Sequence, residues 1–406
     1  MKRDIIEFAE KKLEKRFSIL ENIALINQEK VLNAFREYEI SSRHFSGTTG
    51  YGYDDIGRDA LGKVFARVFG AESGIVSPHI SCGTHALSAS LFGILRPGDV
   101  LFCVTGMPYD TLVDVIEGEN IGSLKDFGIQ TKILNLKNNQ IDMQNATEIA
   151  KELKPKLIYF QRSRGYEWRS AISVKNINSA IEKLREISPN SFFMVDNCYG
   201  EFVEEYEPLA DLVVGSLIKN AGGGIAPTGA YIVGSNEAVE LVAKRLTSPS
   251  LGSEVGSYEG GYRSFYQGLF LAPHIVLQAL KGSYLIGEVL NTFGYEVMPN
   301  SNQDAYDIIK SIKFEKEEEL IAFVQTIQKY SPVDSYVSAE PWDMPGYTDK
   351  VIMASGAFVS GSSIEMSADA PIKKPFVGYY QGGLTYEHAK IVAKIIAEKF
   401  GYKNKE

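Results

Sequence analysis

Between Ser73 and Val233 short apolar runs alternate with segments of helical period, and few folds accept that alternation. Ser73–Ser77, Val100–Val104, Thr131–Leu134, Leu157–Phe160, Phe192–Val195, Leu212–Val214 and Ala230–Val233 read as strands. Gly83–Leu95, Thr111–Ile116, Met143–Leu153 and a segment through Ile181–Ile187 read as helices between them. Strands joined by crossover helices form a mostly parallel sheet covered on both faces, so the class is α/β. Open sheets of this kind hold their ligands beyond the carboxyl ends of the strands.

The flanks are organised differently. Residues 4–39 have helical spacing, with Ile5, Phe8, Leu13 and Phe17 recurring among Lys and Glu. Such an arm cannot bury its apolar face alone, which predicts packing on another domain or subunit. Residues 40–57 are rich in Gly, Ser, Thr and Tyr and read as an extended loop, with helix resuming from Arg58 to Phe69. Val255–Leu285 reads as a helical connector. Beyond it a helix near Lys316–Gln328, strands near Val351–Ala354 and Ser362–Met366, and a helix near Tyr386–Phe400 suggest a smaller α+β domain. The expected division is an N-terminal arm over 1–57, a large domain over 58–265, and a connector helix with a small C-terminal domain over 266–406.

Composition removes several classes of function. The formal charge of -9 gives no electrostatic reason to expect nucleic-acid or membrane binding. Cys82, Cys103 and Cys198 are odd in number and lack CxxC spacing, which suits a reducing cytoplasm. The N-terminal residues carry no signal-peptide core, and no run of about 18 apolar residues is evident. His44, His79, His85, His274 and His388 are not spaced as metal ligands.

The chemistry concentrates between Phe192 and Gly229. Asp196 closes one apolar strand. Lys219 follows the next, in Ser216-Leu-Ile-Lys219-Asn, beside Gly222-Gly223-Gly224. That pairing suits pyridoxal 5'-phosphate: the lysine forms a Schiff base, and the aspartate keeps the pyridine nitrogen protonated so that the ring draws electrons. Burial or cationic surroundings would depress the lysine pKa, and the glycines would let backbone approach a ligand. Each residue also has an ordinary reading, as a loop lysine and a turn-capping aspartate. A phosphate site is expected at Ser81-Cys82-Gly83-Thr84-His85-Ala86, where the amides of Gly83 and Thr84 open a helix, with Ser216 adding a hydroxyl. Tyr109, after the next strand, could stack on a flat ring. No GxxxxGK[ST] occurs, and Gly50–Gly57 is not a strand-borne GxGxxG, so the P-loop and dinucleotide readings lose.

With these residues in view, the chain resembles fold-type-I PLP enzymes of the Cys/Met-metabolism group. It is most similar to their bacterial methionine γ-lyase family branch, that of the cystathionine β-lyase-like aluminium-resistance proteins. The resemblance is carried by 50–59, Ser81–Ala86, Val195–Phe202, Ser216–Gly224 and Tyr380–Glu387. It implies a PLP-transferase-like large domain and a homo-oligomer, dimer or tetramer, with shared active sites. It also implies a carbon-sulfur lyase that takes methionine by γ-elimination or cystathionine by β-elimination to an α-keto acid, ammonia and a thiol. Carried over residue by residue, Lys219 would be the Schiff-base lysine, Asp196 the pyridine partner, and Gly83, Thr84 and Ser216 the phosphate site. Tyr109 would stack and assist proton transfer. Tyr51 or Tyr53, with Arg58, would reach a neighbouring subunit's phosphate. Two departures stand out. Ile218 replaces the threonine that precedes the lysine in the parent group. The C-terminal arginine that binds the substrate carboxylate there has no counterpart after Ala354, which leaves Lys373, Lys374, Arg162, Arg164 or Arg169 to replace it. Transamination and a non-catalytic PLP-binding stress or regulatory role are the alternatives.

Overall fold

A computed structural model of the chain describes residues 2–344 and 347–401. Its centre is a seven-stranded sheet of β1 (Ser73–Ser77), β2 (Val100–Cys103), β3 (Gln130–Ile133), β4 (Leu157–Gln161), β5 (Phe192–Asp196), β6 (Leu212–Ser216) and β7 (Ala230–Gly234). The strand order is β1-β7-β6-β5-β4-β2-β3, parallel except for β7, which runs antiparallel to both β1 and β6. Successive side chains alternate between faces. Leu101, Tyr159, Met194 and Val214 thus join a core with α3 (Gly83–Ile94) and α7 (Asn236–Leu246). Phe102, Ile158, Phe160, Phe193 and Val195 point the other way, into a core with α5 (Met143–Leu153) and α6 (Val174–Ile187). Two further helices, α2 (Ile56–Phe69) and α4 (Asp110–Glu117), complete the cover.

The arm is α1 (Lys2–Glu37), and its longest contact is with α8 (Arg263–Thr292) of the same chain. Ile6, Ala9, Leu13, Leu20, Val31 and Ala34 are buried there, whereas Phe8, Leu25 and Leu32 of the same helix stay exposed. The apolar stretch of α8 is long enough to cross a membrane by length and composition, a feature the sequence reading missed. Most of that stretch is instead buried by the chain itself. The connector does not begin helical. Residues 255–262 are irregular, with Gly256 at φ 123° and Gly261 at φ 70°, conformations that exclude helix.

A second, antiparallel sheet follows, in the order β10-β11-β12-β9-β8. Its strands are β8 (Glu296–Met298), β9 (Lys310–Phe314), β10 (Val351–Ala354), β11 (Ser367–Pro371) and β12 (Phe376–Gln381), backed by α9 (Glu317–Lys329) and α10 (Tyr386–Phe400). The strand expected at Ser362–Met366 lies five residues later, as β11. Residues 362–366 are held irregular because the Glu365 carboxylate accepts the amides of Phe358 (2.8 Å) and Val359 (2.9 Å), and Ile364 C=O accepts the Gly383 amide (2.8 Å). On β11, Ala368 and Ala370 enter the core while Asp369 points to the opposite face.

Candidate active site

The carboxyl ends of β4, β5 and β6 lie side by side, and the loops that follow β4 and β5 pack against the second sheet through Tyr166, Trp168 and Tyr199. Each strand hands a different group to the site.

The turn after β6 presents Lys219. Asn220 anchors this turn by donating from Nδ2 to the carbonyls of Tyr199 (3.1 Å) and Glu201 (3.0 Å). The adjoining glycines serve packing, contrary to the expectation that they admit a ligand. A Cβ on Gly222 would sit 1.7 Å from Leu217 O, and one on Gly223, at φ 56°, would sit 2.3 Å from Gly268 O of α8. They seat the lysine turn against α8. The Lys219 side chain is half-buried, with Nζ 4.1 Å from the centroid of the Tyr199 ring. Burial by itself lowers this ammonium. The surrounding Cys198 thiol, the Tyr199 and Tyr109 phenols and the Asp196 carboxylate outweigh it and hold the ammonium above its ordinary range. The expected depression of the Lys219 pKa is therefore corrected: the pocket is lined by acidic groups, and no cationic neighbour opposes the charge.

Asp196 ends β5, buried. It accepts the Cys198 amide at 3.0 Å and lies 3.5 Å from the Tyr159 hydroxyl. Burial raises its pKa, while the Lys219 charge and the Cys198 amide pull the other way. Cys198 itself is a buried thiol kept protonated by its surroundings.

The N-terminus of α3 abuts these two strand ends. A Cβ on Gly83 would lie 3.5 Å from Ser216 Cβ and 3.6 Å from Cys198 Sγ. Cys82 caps the helix through the His85 amide, and the first amides of a helix have no partner within it. Ser216 Oγ is buried and has no hydrogen-bond partner. Thr84 Oγ1 bonds to the Tyr109 hydroxyl at 2.7 Å and to Thr111 Oγ1 at 3.1 Å, while the Tyr109 amide donates to Gln161 Oε1 at 2.8 Å. Burial, reinforced by Asp196, raises the Tyr109 hydroxyl well above the ordinary phenol range, with the Thr84 bond opposing. An orphaned hydroxyl beside a helix N-terminus fits a phosphate, and a carboxylate and a lysine on adjacent strand ends fit the ring and aldehyde of pyridoxal phosphate.

Other expected site residues lie elsewhere or are already engaged. Arg162 is fully buried, bonded to Asn197 Oδ1 (2.8 Å) and Glu204 Oε2 (2.5 Å), with Glu207 at 3.7 Å. Arg164 makes a fork with Asp307 (2.9 and 3.2 Å) and bonds to Met298 O (3.1 Å) and Ser311 Oγ (3.2 Å). Arg169 is held by Glu167 and Ser163 O. These contacts engage the guanidinium groups expected to bind substrate, although Arg162 Nε is buried without a partner. Lys373 is exposed and paired to Asp349 at 2.7 Å; burial raises the Asp110 carboxyl pKa, and the Lys373 charge opposes that rise. Tyr51 and Tyr53 stack on each other, rings 5.4 Å apart, and both are exposed. Arg58 bonds to Gly52 O (2.9 Å) and Asp59 (2.8 Å) and lines a cavity of about 150 Å³ with His79 and His85.

Sequence reading missed the opposite wall. Tyr199, at φ 70°, lies under Lys219, and Asp369 of β11 stands close enough for the Lys219 charge to act on it, bonded to the Tyr166 hydroxyl, with Tyr347 beside Tyr166. A lone aspartate in Ser-Ala-Asp-Ala-Pro, flanked by core alanines, was the available signal.

Fold and site together define a PLP enzyme of fold type I. The methionine gamma-lyase family model matches residues 2–401, and the chain belongs to that family, whose cofactor is PLP. Among its relatives, YnbB of Bacillus subtilis (strain 168) is 48% identical over 91% of this chain and 90% of its own length. The solved carbon-sulfur lyase involved in aluminium resistance from Clostridium novyi NT is 50% identical, with a TM-score of 0.93 covering 97% of this chain and 94% of that one. A Listeria innocua structure, whose assignment as a cystathionine beta-lyase involved in aluminium resistance is itself a proposal, is 46% identical, with a TM-score of 0.95 and 98% of each chain covered.

Proposed function

We propose that the chain is a carbon-sulfur lyase that removes a thiol from a sulfur amino acid and leaves an α-keto acid and ammonia. The observation that carries this reading is the meeting, at one set of strand ends, of Lys219, Asp196, Tyr109 and the orphaned Ser216 hydroxyl. Bound PLP supplies an electron sink for charge developing at the substrate Cα. The Gly83 and Thr84 amides and Ser216 Oγ would hold its phosphate, Asp196 would keep its ring nitrogen protonated, and Tyr109 would flank it. Lys219 would be its covalent anchor, and as a free amine this residue would take the proton from the substrate Cα. Tyr109, its hydroxyl fixed by Thr84, assists proton transfer and protonates the leaving sulfur. Methionine γ-elimination requires one further proton shift, at Cβ, within reach of the same lysine; cystathionine β-elimination does not. Lys373 is the unburied cation left to meet the substrate carboxylate.

A homo-oligomer, dimer or tetramer, belongs to the same reading. The exposed, stacked Tyr51 and Tyr53, with Arg58 behind them, form the surface by which one subunit would reach its neighbour's phosphate. The three free cysteines suit a cytoplasmic setting.

The decisive measurement is the keto acid formed by the PLP-loaded protein from methionine, cystathionine and cysteine. Pyruvate from cystathionine marks β-elimination and 2-oxobutyrate from methionine marks γ-elimination, with Lys219→Ala abolishing either. No keto acid from all three sinks the lyase reading in favour of transamination or a binding role.

A further inference from the structure

The core between the first sheet and helices α3 and α7 holds a tyrosine where an apolar residue would fill much the same space. Leu101, Cys103, Leu157, Met194, Leu212 and Val214 line that core, and Tyr159 of β4 stands among them, 1% exposed. A buried hydroxyl costs free energy unless it finds a partner.

The strand register determines which partner it finds. Tyr159 pairs with Met194 and Gln161 with Asp196. Tyr159 and Asp196 thus share one face of the sheet, offset by two residues on adjacent strands. The tyrosine ring spans that offset and brings its hydroxyl 3.5 Å from Asp196 Oδ2. The other carboxylate oxygen, Oδ1, accepts the Cys198 amide at 3.0 Å, and the Cys198 thiol adds a further bond. Each oxygen of Asp196 therefore has a donor, and each has a second lone pair to spare.

The groups that act on Asp196 come from four elements. Lys219, on the turn after β6, favours the carboxylate with its charge, and the Cys198 amide and thiol favour it from the segment after β5. Tyr109, ahead of α4, is kept a neutral phenol by burial. Tyr159, on β4, is kept neutral in the same way, with Asp196 reinforcing the effect, so it stays a donor to the carboxylate. Burial works against the charge on Asp196. A buried carboxyl keeps its charge only where donors offset the lost water, and a protonated pyridine nitrogen needs an anion opposite it.

We propose that Tyr159 is a positioning residue whose hydroxyl, together with the Cys198 amide, keeps Asp196 a carboxylate and fixes the oxygen that meets the pyridine nitrogen. This role rests on Asp196 being the pyridine partner, since Tyr159 acts only through it.

The test is the affinity of the full chain, stripped of cofactor, for PLP between about pH 5 and pH 9. Binding requires the Asp196 anion, so affinity falls as pH falls through the pKa of that carboxyl. The phosphate and ring of PLP titrate as well, but identically for every variant. Tyr159→Phe keeps the ring and removes the donor. Asp196 should then hold its proton about tenfold more tightly, the low end for a hydrogen bond to a charged group. The acid-side loss of affinity should accordingly begin about one pH unit higher. Asp196→Asn cannot titrate and should lack that loss, and the nitrogen-15 shift of its bound ring should become that of unprotonated pyridine. 3-Fluorotyrosine at position 159, a stronger donor of nearly the same shape, should move the acid side the other way, and it serves if Tyr159→Phe does not fold. A role confined to packing predicts lower stability with an unmoved acid side. That outcome in folded Tyr159→Phe, or no movement with fluorotyrosine, overturns the role of Tyr159. If the ring shift of Asp196→Asn already differs, the cofactor reading survives that failure. An unchanged ring shift in Asp196→Asn instead removes Asp196 as the pyridine partner, and the role of Tyr159 falls with it.

Discussion

Two turns at the top of the first sheet carry charged side chains within a few residues of a strand end, and they do opposite jobs. The turn after β4 holds Arg162, Arg164 and Arg169, and each guanidinium is bonded to carboxylates, amide oxygens or carbonyls, with Arg162 Nε alone among them buried and unpartnered. The ends of β5 and β6 hold Asp196, Ser216 and Lys219. There Ser216 Oγ has no partner, Asp196 accepts one amide and a distant phenol, and Lys219 forms no ion pair among the described residues. Buried polar groups are normally satisfied, so an orphaned one beside a helix N-terminus marks where something else belongs. Charge near a strand end is a poor guide to a site. Unmet bonding capacity is a better one.

Substitution should separate the two turns by what fails. Arg164→Met leaves Asp307 buried without its fork partner, and breaking such a pair costs about 3–5 kcal/mol. The expected result is a large fall in the denaturant midpoint, with the keto-acid yield per folded molecule falling far less. A variant that stays stable but cannot turn over substrate would move Arg164 into the site. Ser216→Ala should do the reverse. Removing a buried hydroxyl that has no partner should cost the chain little, because no hydrogen bond is lost. The loss of one bond to phosphate should weaken PLP binding by about tenfold, read by titrating cofactor into the stripped protein. Equal cofactor affinity in Ser216→Ala would mean that the orphaned hydroxyl is not part of a phosphate site.

The same contrast explains what the sequence could and could not reveal. The first sheet was legible because most of its strands are short apolar runs set off by turns or by helices of clear period; β3, Gln-Thr-Lys-Ile, is the exception. Asp196 and Lys219 were legible because a lone charge at the end of such a run is conspicuous. The arginines were misleading for that very reason: their satisfaction depends on Asp307, Glu204 and Glu207, and Asp307 is more than a hundred residues away in the chain. β11 was misplaced because Ser362–Met366 alternates like a strand, while the Glu365 side chain, which prevents it, acts through space. Asp369 was missed because its importance arises only where one sheet meets the other.

Glu201 tests the comparison at its weakest point, since it also has an unpartnered oxygen but is fully buried. Its Oε1 accepts the Tyr231 hydroxyl at 2.9 Å and its Oε2 has no partner. Burial, with Glu207 adding to it, raises the carboxyl from its ordinary 4.5 to about 8, against a backbone bond and the Tyr231 hydroxyl that lower it. The group is thus held protonated at neutral pH, which makes it a buried neutral acid and no anion site. The sign follows from linkage. Between about 4.5 and about 8 the folded chain keeps a proton that the unfolded chain has released, so this residue's contribution to stability is intact below 4.5 and is lost as pH rises towards 8. Glu201→Gln cannot titrate. Its Tm relative to the parent should therefore climb between pH 5 and pH 8, by on the order of a few degrees. Cofactor affinity should show no matching change, unlike that of Ser216→Ala. Parallel Tm curves for the two proteins would mean that Glu201 is ionised in the fold, and an orphaned oxygen would then point to an unrecognised cation partner instead of a retained proton.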